Sequence, residues 1–108
     1  MRHDLIDQRS LDLNRLVAKK IRQQPELMNL VRAKLDRTLA ESYLSESCKD
    51  ALCEWQTIFS LKSFEEILEI LVEDSDEGQR LRQSTPFSGI LSQQERREIF
   101  RRYQSVKN

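Results

Sequence analysis

Residues 63–73 have the sequence SFEEILEILVE, and this stretch decides the fold class. Ser63 and Glu66 have the spacing of a capping box, in which each side chain bonds a backbone amide of the other residue. The apolar residues that follow recur three and four positions apart, as on one face of an α-helix. They are Ile67, Leu68, Leu71 and Val72, while the opposite face carries Glu65, Glu66, Glu69 and Glu73. The stretch therefore predicts an amphipathic helix with a solvated acidic face.

Three further helices are predicted before this stretch, because the same apolar spacing recurs there. Their apolar stripes are Leu13, Leu16, Val17 and Ile21 in the first, Leu27, Leu30, Val31, Leu35 and Leu39 in the second, and Cys48, Ala51, Leu52, Trp55, Ile58 and Phe59 in the third. The first helix is expected to begin at Asp4 or Ser10 and to end near Gln24, because Pro25 disfavours helix at the residue before it. Pro25 itself suits the first position of the second helix. Residues 41–47 are polar and serine-rich, and they predict a loop before the third helix.

Two more helices are predicted after the acidic one. The fifth is short, contains Leu81 and is expected to be capped by Asp74 or Ser75. A break at 85–89 follows, where Gly89 is expected to supply a positive φ in a turn. The last helix opens at a second capping box formed by Ser92 and Glu95, and its apolar side carries Ile99, Phe100 and Tyr103.

The predicted architecture is all-α, a single compact domain of five or six short helices over residues 1–108. No alternation typical of β-strands and no dividing linker is present. The chain of 108 residues, 38% of them hydrophobic, is long enough for one core. The chain contains no run of about 18 apolar residues, so no membrane span is predicted, and the first residues do not resemble a signal peptide. A cytoplasmic location is therefore expected.

Charge is unevenly distributed along the chain, although 18 basic and 18 acidic side chains cancel overall. The net charge is +4 over residues 1–40, −9 over residues 41–77 and +5 over residues 78–108. Proteins that bind nucleic acid without sequence preference usually carry a basic excess. We therefore expect this protein to bind nucleic acid weakly on its own.

The chain offers no recognisable catalytic or metal-binding set. His3 is the only histidine and lies in a terminus expected to fray, so no nucleophile has a nearby base. Cys48 and Cys53 match no zinc pattern, and on a helix they point about 140° apart, which argues against a disulfide. We expect Cys48 to be buried and Cys53 exposed. Gly78 and Gly89 are isolated and do not form a phosphate-binding loop. The prediction is a protein that is not an enzyme and needs no metal or other cofactor.

Arginines are concentrated in the last third of the chain. They are Arg80, Arg82, Arg96, Arg97, Arg101 and Arg102. Arg97 and Arg101 face away from the apolar side of the last helix. Such a face is typical either of phosphate contacts or of a solvated surface with favourable charge near a helix C-terminus.

Residues 79–92, with the sequence QRLRQSTPFSGILS and followed by Glu95 and Arg96, resemble a block found in small bacterial helical proteins. In those proteins the block is RLRQSSPFxGVL, a Ser or Thr cap, then Glu-Arg and an aromatic residue. Glu54, Trp55 and the segment 61–72 fit the same pattern, and residues 13–15 fit it more weakly. The chain departs from the pattern at Arg97, where the aromatic residue is common.

The resemblance implies a function in partner binding. Such proteins are often encoded beside a nucleotidyltransferase-like gene, in the arrangement of a toxin–antitoxin pair. The first hypothesis is therefore a non-catalytic, antitoxin-like module that restrains a co-encoded nucleotidyltransferase-type toxin. The alternative is a nucleic-acid-binding transcriptional regulator that uses the arginine-rich last helix. A homo-oligomer is compatible with either hypothesis.

The block also predicts which residues contact the partner. Phe87 lies in a Pro/Gly turn, where it either plugs the core between helices or anchors a partner, since aromatic residues and arginine are enriched at binding hot spots. The partner-binding residues predicted from the sequence are Arg80, Arg82, Ser84, Phe87, Arg97 and Arg101.

Overall fold

The all-α prediction is confirmed by a computed structural model that describes residues 2–41 and 43–106. In those ranges the chain forms one compact globule with six α-helices and no strand. The helices are α1 (Arg2–Gln23), α2 (Glu26–Leu39), α3 (Glu46–Leu61), α4 (Phe64–Leu71), α5 (Asp76–Arg82) and α6 (Gln93–Val106), with a 3-10 turn at Ser88–Ile90. None of the described helices is long and apolar enough to cross a membrane.

Both predicted capping boxes are formed. The amide of Glu66 donates to Ser63 Oγ at 3.2 Å, and the amide of Ser63 donates to Glu66 Oε1 at 2.9 Å. At the start of α6 the amide of Glu95 donates to Ser92 Oγ at 3.1 Å, and the amide of Ser92 donates to Glu95 Oε1 at 2.8 Å. Ser75, one of the two predicted caps, begins α5. These local hydrogen bonds fix where three helices start.

Other helix ends differ slightly from the prediction. α1 begins at Arg2, before either predicted start, and ends just ahead of Pro25 as expected. Pro25 lies one residue before α2 with helical dihedrals, φ −59° and ψ −25°. α3 begins at Glu46 because Ser45 caps it by accepting from the amide of Cys48. The loop before α3 is therefore shorter than predicted.

Three aromatic rings form the centre of the core. Trp55 and Phe87 are fully buried, and their ring centroids lie 5.8 Å apart in an edge-to-face arrangement. Phe59 lies 6.4 Å from the Trp55 ring and 5.7 Å from the Phe87 ring. Trp55 Nε1 donates to the carbonyl of Leu81 at 3.1 Å, so the indole has a partner despite its burial. Apolar residues from the helices and the last turn surround these rings: Val17, Ile21, Val31, Leu35, Ile67, Leu68, Leu71 and Leu91.

Leu30 does not belong to the core, although the sequence placed it on the apolar stripe of α2. Its side chain is 62% exposed. α2 contacts the core through Met28, Val31 and Leu35, which are buried. Leu30 precedes Val31 by one position, a rotation of about 100°, and so faces outward at the edge of the stripe.

The two cysteines are free thiols, and both are exposed. The expectation that Cys48 is buried is therefore wrong. Cys48 lies in the first turn of α3, whereas the buried residues of this helix, Trp55 and Phe59, lie in its second half. The start of α3 extends beyond the core that its other end contacts.

The structural requirement for glycine lies at Gly78 rather than at Gly89. Gly89 lies in the 3-10 turn, and no described glycine has a positive φ, so that prediction is wrong. Gly78 is buried in α5, and a Cβ added there would lie 2.2 Å from the backbone oxygen of Glu73. A Cβ at Gly89 would meet only the Lys34 ammonium nitrogen, at 3.2 Å. Close packing of α5 against the segment after α4 therefore depends on glycine at position 78.

Candidate partner-binding surface

Phe87 plugs the core, as one of the two sequence interpretations predicted. Its side chain is 0% exposed and contacts the rings of Trp55 and Phe59. The amide of Phe87 donates to Thr85 Oγ1 at 3.2 Å, which helps to define the turn. The alternative interpretation, an aromatic anchor on the surface, does not hold, because the ring is enclosed. The contribution of Phe87 is to hold the turn on the core.

Arg82 is also buried, which corrects its predicted place at the surface. Its Nη1 donates to the carbonyl oxygens of Glu73 at 2.7 Å and Leu71 at 3.4 Å. These carbonyls lie at the end of α4 and just after it, where a helix leaves acceptors without intrahelical donors. Burial lowers the pKa of the guanidinium, although arginine stays charged in proteins. Arg82 therefore joins α5 to α4 and is not offered to a partner.

Arg80 is half exposed but already holds two carboxylates. Its guanidinium donates to both oxygens of Glu54, at 2.9 and 2.6 Å, and to both oxygens of Glu77, at 2.9 and 2.7 Å. Hydrogen bonds to Glu77 and Glu54 raise the pKa of Arg80 above its usual value. Ser84 Oγ donates to the carbonyl of Leu81 at the end of α5. Both predicted contact residues thus have bonds within the chain.

The outer face of α6 is arginine-rich and exposed, as predicted. Arg97 and Arg101 lie on it, and Arg101 is 3.5 Å from the carboxylate of Glu98. The inner face contacts α1, with Ile99 buried and the hydroxyl of Tyr103 hydrogen-bonded to Asp12. Two of the six residues predicted to bind a partner, Arg97 and Arg101, therefore lie on an exposed face of α6. Arg80 is also exposed, but it lies on α5.

An apolar groove lies between α2 and the turn after α5, which belongs to the block of residues 79–92. We call it the α2 groove. Its volume is about 210 Å³, and it is lined by Leu27, Leu30, Val31 and Lys34 of α2 and by Pro86, Gly89 and Ile90 of the turn. Sequence reasoning missed it, because Leu30 was assigned to the core. The sequence signal for an outward-facing Leu30 was its position, one residue off the row of apolar residues that includes Val31 and Leu35.

The turn side of the α2 groove is fixed by side chains from two other helices. Lys20 Nζ of α1 donates to the carbonyl of Ile90 at 2.9 Å and to Glu95 Oε1 at 2.7 Å. Arg96 Nη1 of α6 donates to the carbonyl of Ser88 at 3.3 Å. Together with the buried ring of Phe87, these bonds hold the turn in one place. The groove is therefore formed before any partner arrives.

Lys34 and Arg37 extend the α2 groove with positive charge. Leu30, Lys34 and Arg37 are separated by four and three positions, so they follow one another along one stripe of α2. Both cations are exposed, and neither forms a salt bridge with a carboxylate in the ranges that the structure describes. An exposed leucine is thus followed by two unpaired cations.

The contacts of Glu95 with Lys20 and Ser92 should make the stability of the protein depend on pH. Hydrogen bonds from Lys20 and from Ser92 hold the pKa of Glu95 below its usual value. A carboxylate with a depressed pKa stabilises the fold above its unfolded pKa, and this contribution is lost as the pH falls through the folded pKa. We therefore expect Glu95→Gln to destabilise the protein most above about pH 5, with the difference from wild type shrinking below about pH 4.

Urea titrations of wild type and Glu95→Gln across this pH range measure that difference. Lys20→Met should show the same dependence in weaker form, because it removes the largest cause of the shift while the bonds from Ser92 remain. A difference between wild type and Glu95→Gln that stays constant from neutral to acid pH would contradict the assignment.

No metal-binding cluster of three or more histidine, cysteine, aspartate or glutamate side chains occurs in the part of the chain that the structure describes. The side chain of His3 lies outside the described residues. The acidic face of α4 is exposed, as the sequence predicted, and its Glu65 pairs with Arg22 of α1 at 3.1 Å.

In comparisons with known proteins, the chain matches no family model, no curated protein and no solved structure.

Proposed function

We propose that this protein is a non-catalytic binding module that binds and restrains a co-encoded enzyme. The observation that carries the proposal is the α2 groove, which lies beside the most recognisable stretch of the sequence. Pro86 and Ile90 of that stretch line the groove opposite Leu30, which is exposed. An apolar patch beside a charged rim is typical of surfaces that bind other proteins.

The rigidity of the turn supports this function. A preformed site avoids the cost of ordering a loop on binding, so more of the contact energy contributes to affinity. Phe87 in the core, Lys20 on the carbonyl of Ile90 and Arg96 on the carbonyl of Ser88 together supply that preorganisation.

The resemblance to antitoxin-like proteins supports the choice of partner. It implies a nucleotidyltransferase-type toxin encoded next to this chain. An enzyme that handles nucleotides needs acidic and phosphate-binding groups, and exposed arginines pair well with the acidic ones. Arg97 and Arg101 are exposed on α6, whose Arg96 contacts the turn, and they are the residues of this helix that we expect to meet such carboxylates.

The second candidate is a regulator that binds nucleic acid through α6. The exposed outer face with Arg97 and Arg101 favours it. The net charge of zero and the exposed acidic face of α4 argue against strong binding by this chain alone, because phosphate repels carboxylates and affinity for a polyanion follows the basic excess. This candidate therefore ranks below protein binding.

Co-expression with the neighbouring gene product tests the proposal. We expect a tagged copy of that product to co-purify with this protein, and we expect this protein to relieve any growth arrest that the product causes. Charge reversal at Arg97 and Arg101 together should weaken the complex in a salt-dependent way if α6 forms its rim.

The proposal fails if the neighbour purifies alone and its growth effect is unchanged. Filter binding of the purified protein to its own promoter DNA separates the two candidates. Salt-sensitive binding at nanomolar concentration without any protein partner would establish the nucleic-acid regulator instead.

A further inference from the structure

We propose that the α2 groove binds an acidic amphipathic helix of a partner protein, which inserts one apolar side chain and places carboxylates beside Lys34 and Arg37. The inference rests on the proposed function, since it assumes that the chain binds a protein, and it adds the chemistry of the partner segment.

The size of the groove favours a side chain over a free ligand. Its volume of about 210 Å³ is below the range of about 300–1,000 Å³ that is usual for small-molecule pockets. Its walls are aliphatic side chains, the proline ring and Gly89, and Lys34 is the one charged residue that lines it. An aliphatic or aromatic side chain held by a neighbouring backbone fills such a site. Burying Leu30 beneath it removes an exposed leucine from water.

The positions of the cations define the spacing of the partner's carboxylates. At a rise of about 1.5 Å per residue, Lys34 lies about 6 Å and Arg37 about 10 Å beyond Leu30 along α2. A helix that lies alongside α2 therefore presents its apolar residue at one position and its acidic residues four and seven positions away. The order depends on whether the two helices run parallel or antiparallel. This spacing is helical, so one face of the partner makes all three contacts.

A second groove shows why the α2 groove is singled out. Leu61 is 75% exposed and lines a groove with Arg32, Asp36 and Gln56 on another side of α2. There the charged groups already have partners within the chain. Arg32 donates to the carbonyl of Phe59 and lies over its ring, and Asp36 accepts from the amide nitrogen of Gln56. That groove lacks the unpaired charge that selects an acidic partner.

A second copy of this chain does not supply the acidic helix. Its strongly acidic amphipathic helix is α4, and the apolar residues Ile67, Leu68 and Leu71 of that helix are buried in the core. Presenting them to a neighbouring molecule would require unfolding. The occupant is therefore a different protein.

A peptide titration tests the inference with the full chain. The probe is a helical peptide of about 16 residues with one leucine at its centre and glutamates four and seven positions before and after it, so that it fits either helix direction. The control peptide carries lysine in place of those glutamates. Amide spectra of the ¹⁵N-labelled protein should show saturable shifts at Leu30, Lys34 and Gly89 with the acidic peptide, and much weaker shifts with the basic one.

Matched variants make the test specific. Leu30→Asp and Lys34→Glu should each weaken binding of the acidic peptide by about ten-fold or more, whereas Leu61→Asp should bind as wild type does. Because all three residues are exposed, the variants are expected to fold. Lys34→Glu should in turn gain affinity for the basic peptide.

Equal binding of the two peptides, or an equal loss in Leu61→Asp and Leu30→Asp, would overturn the inference. Shifts confined to residues outside the groove would do the same. The outcome is distinguishable from that of the proposed function. If wild type binds the neighbouring gene product and Lys34→Glu binds it equally well, the groove inference fails while the binding function stands.

Discussion

Phe87→Ala should lower the free energy of unfolding by about 3–5 kcal/mol, the usual cost of emptying a buried phenylalanine site. The ring is fully enclosed and contacts Trp55 and Phe59, so its loss leaves a cavity at the centre of the core. It also releases the turn that forms one wall of the α2 groove. Chemical denaturation followed by Trp55 fluorescence measures the loss directly.

Phe87→Leu is the matched control, because it keeps an apolar side chain in the site. It should cost less than the alanine variant and retain partner binding. If Phe87→Ala kept the stability of wild type while losing its partner, the ring would be a binding anchor and its place in the core would be contradicted.

Gly78→Ala should lower the free energy of unfolding by about 1–3 kcal/mol, as overpacking against backbone does. The new Cβ would lie 2.2 Å from the carbonyl oxygen of Glu73, so α5 or the segment before it must move. Alanine favours an isolated helix by about 1 kcal/mol over glycine, and the clash outweighs that gain. The displacement also disturbs the carbonyl that accepts from Arg82.

Gly89→Ala provides the control for the glycine prediction. A Cβ there meets only the flexible end of Lys34, at 3.2 Å, so the midpoint of thermal unfolding should change little. An equal loss of stability in both variants would show that the close approach at Gly78 is not the cause.

Local sequence rules predicted the helices well. The two capping boxes, the cap at Ser75 and the stop before Pro25 each depend on residues within one turn of each other. Such contacts are visible in the sequence because the chain makes them wherever the helix begins. The exposed acidic face of α4 and the outward arginines of α6 followed from helical periodicity alone.

The errors in placing side chains concern contacts between distant parts of the chain, unlike the local error at Gly89. Arg82 was predicted to contact a partner, but it donates instead to carbonyl oxygens that the end of α4 leaves without intrahelical donors. Cys48 extends beyond the core because α3 is longer than the surface on which it packs. Leu30 lies on the edge of its stripe, where only the packing of its neighbours decides whether it is covered.

The candidate surface was therefore only half predictable. The block around Phe87 was recognised, but its role changed from contact to support once the ring was found in the core. The wall of the α2 groove is formed instead by Pro86, Gly89 and Ile90, which face α2 across it. No local pattern connects residues near position 30 with residues near position 88, since they meet only in the folded chain.

The most direct test of the proposed function is the affinity for the product of the neighbouring gene, the proposed enzyme partner. Isothermal titration of that enzyme with wild type, Leu30→Asp and Leu61→Asp compares two exposed leucines that line different grooves. We expect tight binding of wild type and Leu61→Asp, and binding weaker by about ten-fold or more for Leu30→Asp. No binding by wild type, or the same dissociation constant for all three proteins, would contradict that expectation.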